Sequence, residues 1–196
     1  MSTHKATVSS PSNIAFVKYW GARDLDQIVP ENPSLSMTLE ECTSRTTVEF
    51  MPEEGPHEVR WRASGQRSLV EAPPAFAERV IAHLDRLKGW AGVSGRFRMA
   101  TENTFPAAAG IASSASGFSA LTLGVLAALG KDESDETKSR LSRLSGSGSA
   151  SRSVLGGYVR WPAAGLDGEA GNFAQQIAPA SHWDLRDVIA LAATQA

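Results

Sequence analysis

An α+β fold is the class with which the hydrophobic pattern of this 196-residue chain agrees. Two observations carry that expectation. Up to Arg62 apolar and polar side chains alternate with the period of two that strands need, and from Phe76 the period lengthens to that of a helix, with helices and strands alternating thereafter.

Taken in order, Ala6–Ser10 and Asn13–Lys18 are expected as short strands separated by Pro11, which has no N–H for a central ladder. Tyr19–Pro33 is polar and turn-rich. Ser34–Leu39 sets Leu35, Met37 and Leu39 against Ser34, Ser36 and Thr38, the alternation of a half-buried strand. Arg45–Met51 and Glu58–Arg62 follow as strands, and the Pro/Glu/Gly cluster between them predicts a hairpin. After Pro73 and Pro74, the residues Phe76, Val80, Ile81, Leu84 and Leu87 recur at helical spacing, so Ala75–Trp90 is expected as an amphipathic helix.

Ser94–Ala100 reads as a strand, Phe118–Leu129 as a buried helix ended by Gly130, and Asp132–Leu144 as a surface helix capped by Ser134. Gly157–Trp161 is expected as a strand, Glu169–Ile177 as a short helix and Asp187–Thr194 as a last strand. One domain over residues 1–196 is the expectation. Because the chain stops on an apolar segment without a polar tail, it reads as cut from something longer.

Composition narrows the chemistry. With 42% hydrophobic and 20% charged residues and a formal charge of -2, the profile is that of a soluble globular domain with no general footprint for nucleic acid. No apolar run is long enough to span a membrane and the N-terminus lacks the hydrophobic core of a signal peptide, so a cytoplasmic location is expected. Cys42 is the single cysteine, which excludes a disulfide within these residues and a cysteine-rich metal site. His4, His57, His83 and His182 lack metal-ligand spacing and are assigned nothing; Trp61, Trp90, Trp161 and Trp183 are read as core or rim.

Two stretches of small residues carry the functional signal. Pro106-Ala-Ala-Ala-Gly-Ile-Ala-Ser-Ser-Ala-Ser-Gly117 leads into the helix that follows, and a helix start with little side-chain bulk is where unpartnered N–H groups can meet a phosphate. It has no Gly-Lys-Ser/Thr ending and no dinucleotide glycine spacing, so it is neither of those loops. Close helix packing or an ordinary N-cap is the plain alternative. The second stretch, Gly146-Ser-Gly-Ser-Ala-Ser-Arg-Ser153, adds hydroxyls and an arginine able to grip an oxyanion with two parallel bonds.

Ser12-Asn13-Ile14-Ala15-Phe16-Val17-Lys18-Tyr19-Trp20-Gly21, Asn32-Pro33-Ser34-Leu35-Ser36-Met37-Thr38-Leu39 and the two small-residue stretches together resemble the diphosphomevalonate decarboxylase family of the GHMP kinase superfamily. The likeness spans nearly the whole chain but only the N-terminal part of a family member. It implies a GHMP kinase N-terminal domain, an α+β domain like domain 2 of ribosomal protein S5, with the family's C-terminal ferredoxin-like domain absent from this chain. It implies ATP and Mg2+ as cofactors, a phosphorylated mevalonate as small-molecule substrate, a possible homodimer, and no nucleic-acid or membrane partner. The implied reaction is ATP-dependent decarboxylation of mevalonate 5-diphosphate to isopentenyl diphosphate, in the mevalonate pathway of isoprenoid biosynthesis.

Residue by residue, the resemblance places Gly110, Ala112, Ser113, Ser114 and Asn103 at ATP, with Ser114 near the transferred group. Ser147, Ser149, Arg152 and Tyr19 fall to the substrate, Asn13 orients the arginine, and Lys18 matches the active-site lysine; Lys18, Ser114 and Asn13 are the catalytic candidates. No residue is assigned to the metal, which nucleotide oxygens would hold. Two features depart from the family. Ala22 stands where the family has a lysine that contacts the diphosphate, which favours mevalonate 5-phosphate as an alternative substrate. No acidic residue matches the catalytic aspartate of the C-terminal domain, so the chain alone is expected to be inactive. A GHMP small-molecule kinase and a nonenzymatic ligand-binding half-protein are the other readings.

Overall fold

The computed structural model describes residues 4–62, 65–106, 110–163 and 172–190. Strand β1 (His4–Val17) runs straight through Pro11, so the two short strands expected around that proline are one. Proline fits because, among the described residues, β1 pairs with β4 (Ser34–Met51) alone, which leaves its other edge without a ladder to complete. The register breaks at the same place: Pro11 faces Thr43 whereas Ser12 faces Leu39, an irregularity on the β4 side at Glu40–Cys42. In the turn-rich segment, β2 (Ala22–Asp24) and β3 (Val29–Pro30) make a small separate hairpin.

β4 itself merges Ser34–Leu39 and Arg45–Met51, expected as two strands, into one of 18 residues. Ser34 and Ser36, expected on a polar face, are both fully buried, so this end of β4 is covered on two sides. After β5 (Glu58–Arg62), β6 (Val70–Glu71) and α1 (Pro74–Ala91) comes β7 (Arg96–Asn103), which inserts between β4 and β5, antiparallel to the first and parallel to the second. The expected hairpin of β4 with β5 is therefore not formed. β7 carries the wholly buried Phe97 and Met99, while Val59 and Trp61 of β5 are half-buried, so the more apolar strand takes the central place.

α2 (Ser113–Ala128) starts five residues earlier than its apolar run suggests, taking the serines of the first small-residue stretch into its first turns. α1 and α2 cover one face of the sheet, burying Val80, Leu84, Leu87, Phe118, Leu121 and Val125 against Val48, Phe97 and Met99. Gly124 sets the spacing: a Cβ there would stand 2.8 Å from Val48 Cγ2. α3 (Asp135–Arg143) is capped as expected, Ser134 Oγ accepting from the Thr137 N–H at 3.2 Å.

The second small-residue stretch folds into α4 (Ala150–Ser153), and β8 (Tyr158–Trp161) then pairs with the first residues of β4. Glu169–Ile177, expected as a helix, lies partly outside the described residues; its end belongs to strand β9 (Gln175–Ala178), antiparallel to β8. The unfilled edge of β8 is a stronger partner for this short segment than a helix of its own. Residues 187–190 form no strand, and the remainder of Asp187–Thr194 lies outside the described residues. No helix among the described residues is long and apolar enough to cross a membrane.

Candidate functional site

The site is assembled where β1 passes between the two small-residue stretches. At the start of α2, Gly110 (φ +75°) and Ala112 (φ +48°) take left-handed backbone, a conformation that costs alanine about 1–2 kcal/mol. Ser12 holds the turn in place: its fully buried hydroxyl donates to the carbonyls of Ile111 and Ala112. Among the described residues no side chain caps the helix, so the first N–H groups of α2, with the positive end of its dipole, remain available to an anion.

Asn13 reaches the other stretch. Its Nδ2 donates to Ser153 Oγ at 2.7 Å and to the Ser149 carbonyl at 3.1 Å, while its Oδ1 accepts from Arg152 Nη2 at 3.2 Å. Arg152 also donates from Nε to Ser36 Oγ at 3.0 Å and from Nη1 to Ser34 Oγ at 2.6 Å. Arg152 as a whole is 2% exposed, and every partner its guanidinium has among the described residues is neutral. Burial pulls its pKa from the ordinary range down to about 10. This arginine is therefore not part of a surface ion pair among the described residues.

Ser114 and Ser147 bring the stretches together, their hydroxyls 3.3 Å apart, with Ser147 and Ser149 at 3.5 Å. Tyr19 stacks on the buried Trp161 at 5.3 Å, and both rings close over Gly148, where a Cβ would stand 2.9 Å from Trp161 and 3.1 Å from Tyr19. Tyr19 is thereby part of the wall around the Gly146–Ser153 turn, its phenol pKa raised by burial. Lys18 is not brought into this cluster: it is exposed just after β1 and its side chain makes no hydrogen bond or ion pair among the described residues. Trp20 beside it is 81% exposed.

Along α2 a cavity of about 230 Å³ opens between the helix, α1 and β7. Ser113, Ser114 and Asn103 line it, as do Trp61, Phe76 and Phe118, which supply an apolar slot. Asn103 is fixed by Ser44 Oγ, which donates to its Oδ1 at 2.7 Å. Sequence reasoning missed two parts of the site. Ser34 and Ser36 looked like the wet side of a strand, and the signal was their place in the Asn32–Leu39 motif. Trp61 and Phe76 looked like rim and core, and only the fold brings them to α2. Among the described residues no group of three or more His, Cys, Asp or Glu could hold a metal ion.

The diphosphomevalonate decarboxylase mvd1 of Aspergillus fumigatus is 36% identical over 95% of this chain and 48% of its own length. A solved mevalonate diphosphate decarboxylase from Enterococcus faecalis superposes with a TM-score of 0.79 at 33% identity, covering 93% of this chain and 54% of that one. A second structure, MDDEF in complex with MVAPP, AMPPCP and magnesium, has a TM-score of 0.78 at 32% identity over 90% of this chain and 51% of that one. The chain thus spans about half the length of the relatives it matches. Residues 10–172 match the model of the diphosphomevalonate decarboxylase-like N-terminal domain. They include Ser12, Asn13, the serines of β4, the start of α2 and Arg152, so the residues that build this site lie inside that match, and the chain belongs to the diphosphomevalonate decarboxylase-like N-terminal domain family.

Proposed function

We propose that this chain binds ATP and mevalonate 5-diphosphate for ATP-dependent decarboxylation to isopentenyl diphosphate, a step of isoprenoid biosynthesis. The observation that carries the reading is Arg152, a buried guanidinium held by Ser34, Ser36 and Asn13 with no acidic partner among them. A charge taken out of water without a counter-ion is costly, and an anionic substrate supplies the missing partner. Arg152 takes the substrate's carboxylate or phosphate as a fork, Ser147 and Ser149 donate to it, and Tyr19 walls the turn. The nucleotide lies along α2, its base in the slot of Trp61 and Phe76 and its phosphates at Ser113 and Ser114. The 3.3 Å approach of Ser114 to Ser147 supports a reading in which the two ligands meet where the turns meet.

Lys18, exposed and unpaired among the described residues, swings in to neutralise charge on the phosphoryl in transit. The residues present fit Mg2+ bound mainly through nucleotide oxygens, where it would offset phosphate charge. The catalytic aspartate is sought in a C-terminal domain outside these 196 residues, so this chain binds both ligands without turning them over. A cytoplasmic homodimer remains part of the proposal.

Mevalonate 5-phosphate is the second reading, favoured by Ala22 on β2 and by Arg23 beside it, which is engaged by Glu31 at 3.3 Å. Calorimetric titration with ATP, mevalonate, its 5-phosphate and its 5-diphosphate tests both readings, with carbon dioxide and ADP followed in parallel. Tighter binding of the 5-diphosphate supports the first, and tighter binding of the 5-phosphate replaces it with the second. ADP without carbon dioxide moves the chain to the small-molecule kinases. No binding of any phosphorylated mevalonate overturns both.

A further inference from the structure

We infer that Ser44 on β4 is a positioning residue for nucleotide binding: it locks the Asn103 amide so that only N–H donors face the cavity beside α2, and the nucleoside atom met there is an acceptor. The inference rests on the reading that this cavity takes ATP. Ser44 lies outside the stretches whose motifs mark the site, and it does not line the cavity. It is wholly buried against α2 and stands directly opposite Asn103 in the β4–β7 ladder, a cross-strand pair whose side chains meet.

A serine hydroxyl has one proton to give. Ser44 gives its proton to Asn103 Oδ1 at 2.7 Å, so Ser116, also wholly buried, is the donor in the 2.7 Å contact between its Oγ and Ser44 Oγ. The relay runs from α2 through β4 to β7, Ser116 to Ser44 to Asn103, and each bond polarises the next. With Oδ1 held on the buried side, the other end of the half-buried amide, Nδ2, is turned toward the cavity that Asn103 lines. It makes no hydrogen bond among the described residues. Two donors are thus left for a ligand, and the ring nitrogens of a purine and the oxygens of its ribose are acceptors. One plain alternative is the reversed relay, in which Asn103 donates to Ser44 and Ser116 spends its proton on the Ser113 carbonyl at 3.2 Å, the longer contact. The other is that Ser44 merely fills space between α2 and the sheet.

Calorimetry on the full chain, with ATP and the uncharged adenosine as probes, separates these in Ser44→Cys, Asn103→Asp, Asn103→Ala and the double variant Ser44→Cys with Asn103→Ala. Cysteine nearly keeps the volume of Ser44 but is a weak donor, so it removes the hydrogen bond without opening a cavity. The expected result is about fivefold weaker binding of both probes in Ser44→Cys, a loss that shrinks to within about twofold once Asn103 is alanine, because the hydroxyl acts through the amide. Asn103→Asp, which keeps the acceptors and loses both donors, is expected to weaken adenosine binding at least as much as Asn103→Ala. Parent-like affinity in Ser44→Cys overturns the inference, and so does an equal loss in the Asn103→Ala background, which is what a space filler predicts. Parent-like adenosine affinity in Asn103→Asp reverses the relay and overturns the donor assignment. A parent chain that binds neither probe overturns the ATP reading of the cavity itself. The nitrogen-15 signal of the Asn103 side-chain amide in the ligand-free protein then decides the role of Ser44 alone: a shift in Ser44→Cys upholds the lock, and an unmoved signal overturns it.

Discussion

Asn13 and Arg152 share a hydrogen bond of 3.2 Å between the Asn13 carbonyl oxygen and Nη2 of the guanidinium. The same amide holds Ser149 and Ser153 through Nδ2, so one side chain fixes both the arginine and the turn that carries it. Asparagine suits this place because it orients the guanidinium without neutralising it. In Asn13→Asp the arginine gains a counter-ion, so melting temperature is expected to hold or rise while affinity for the phosphorylated substrate falls by about 100-fold. Titration calorimetry beside thermal melting checks this; undiminished affinity would refute the role given to the pair.

Arg152→Gln keeps a hydrogen-bonding side chain among Ser34, Ser36 and Asn13 but removes the charge. Loss of substrate binding by about 2–4 kcal/mol is expected, with a melting temperature within a few degrees of the parent. A large stability loss with normal affinity would make the arginine structural.

Gly148 lies under two rings. Gly148→Ala places a methyl 2.9 Å from Trp161 and 3.1 Å from Tyr19, so one ring must move. The expected cost is about 1–3 kcal/mol in urea denaturation, with a change in tryptophan fluorescence as the stack of Tyr19 on Trp161 opens. An unchanged spectrum and stability would contradict the close approach.

Ala112 adopts left-handed backbone at φ +48°, where glycine has no Cβ to clash. Ala112→Gly is expected to stabilise the chain by about 0.5–1 kcal/mol, or about 2–4 °C per kcal/mol in a chain of this size. Ser12→Ala, which frees the carbonyls of Ile111 and Ala112, acts in the opposite direction. Thermal melting of both variants reads the two signs.

His83 is wholly buried between Thr122, whose hydroxyl lies 2.9 Å from Nε2, and the edge of Phe118. Burial, with Arg86 adding to it, drives its pKa from 6.5 down to about 3. The unfolded chain therefore takes up a proton near pH 6.5 while the folded chain declines it until about pH 3. Stability falls by up to about 1.4 kcal/mol per pH unit as acid is added through that window. In His83→Gln, urea denaturation at pH 7 and pH 5 is expected to show a smaller difference than in the parent.

Where the pattern of side chains was local, it was legible: the apolar spacing of α1, the Ser134 cap and the end of α2 before Gly130 all stand as read. The errors concern partners. Alternation marked Ser34–Leu39 as a strand, but it could not show that Ser34 and Ser36 are buried, because what covers them is an arginine more than a hundred residues away. Nor could the Pro/Glu/Gly cluster reveal that β7 would displace β5 from β4, since pairing order follows the burial of Phe97 and Met99.

Read with its motifs, the sequence by itself determined the α+β class, the apolar spacing of α1 and the Ser134 cap, because helical period, caps and motif spacing act over short distances. Tertiary structure alone decided that Arg152 would be a buried cation among neutral partners, that Ser114 would meet Ser147, and that Trp61 and Phe76 would face α2. Burial and charge environment are properties of neighbours in space. They exist only once β1 has been laid along β4 between the two turns.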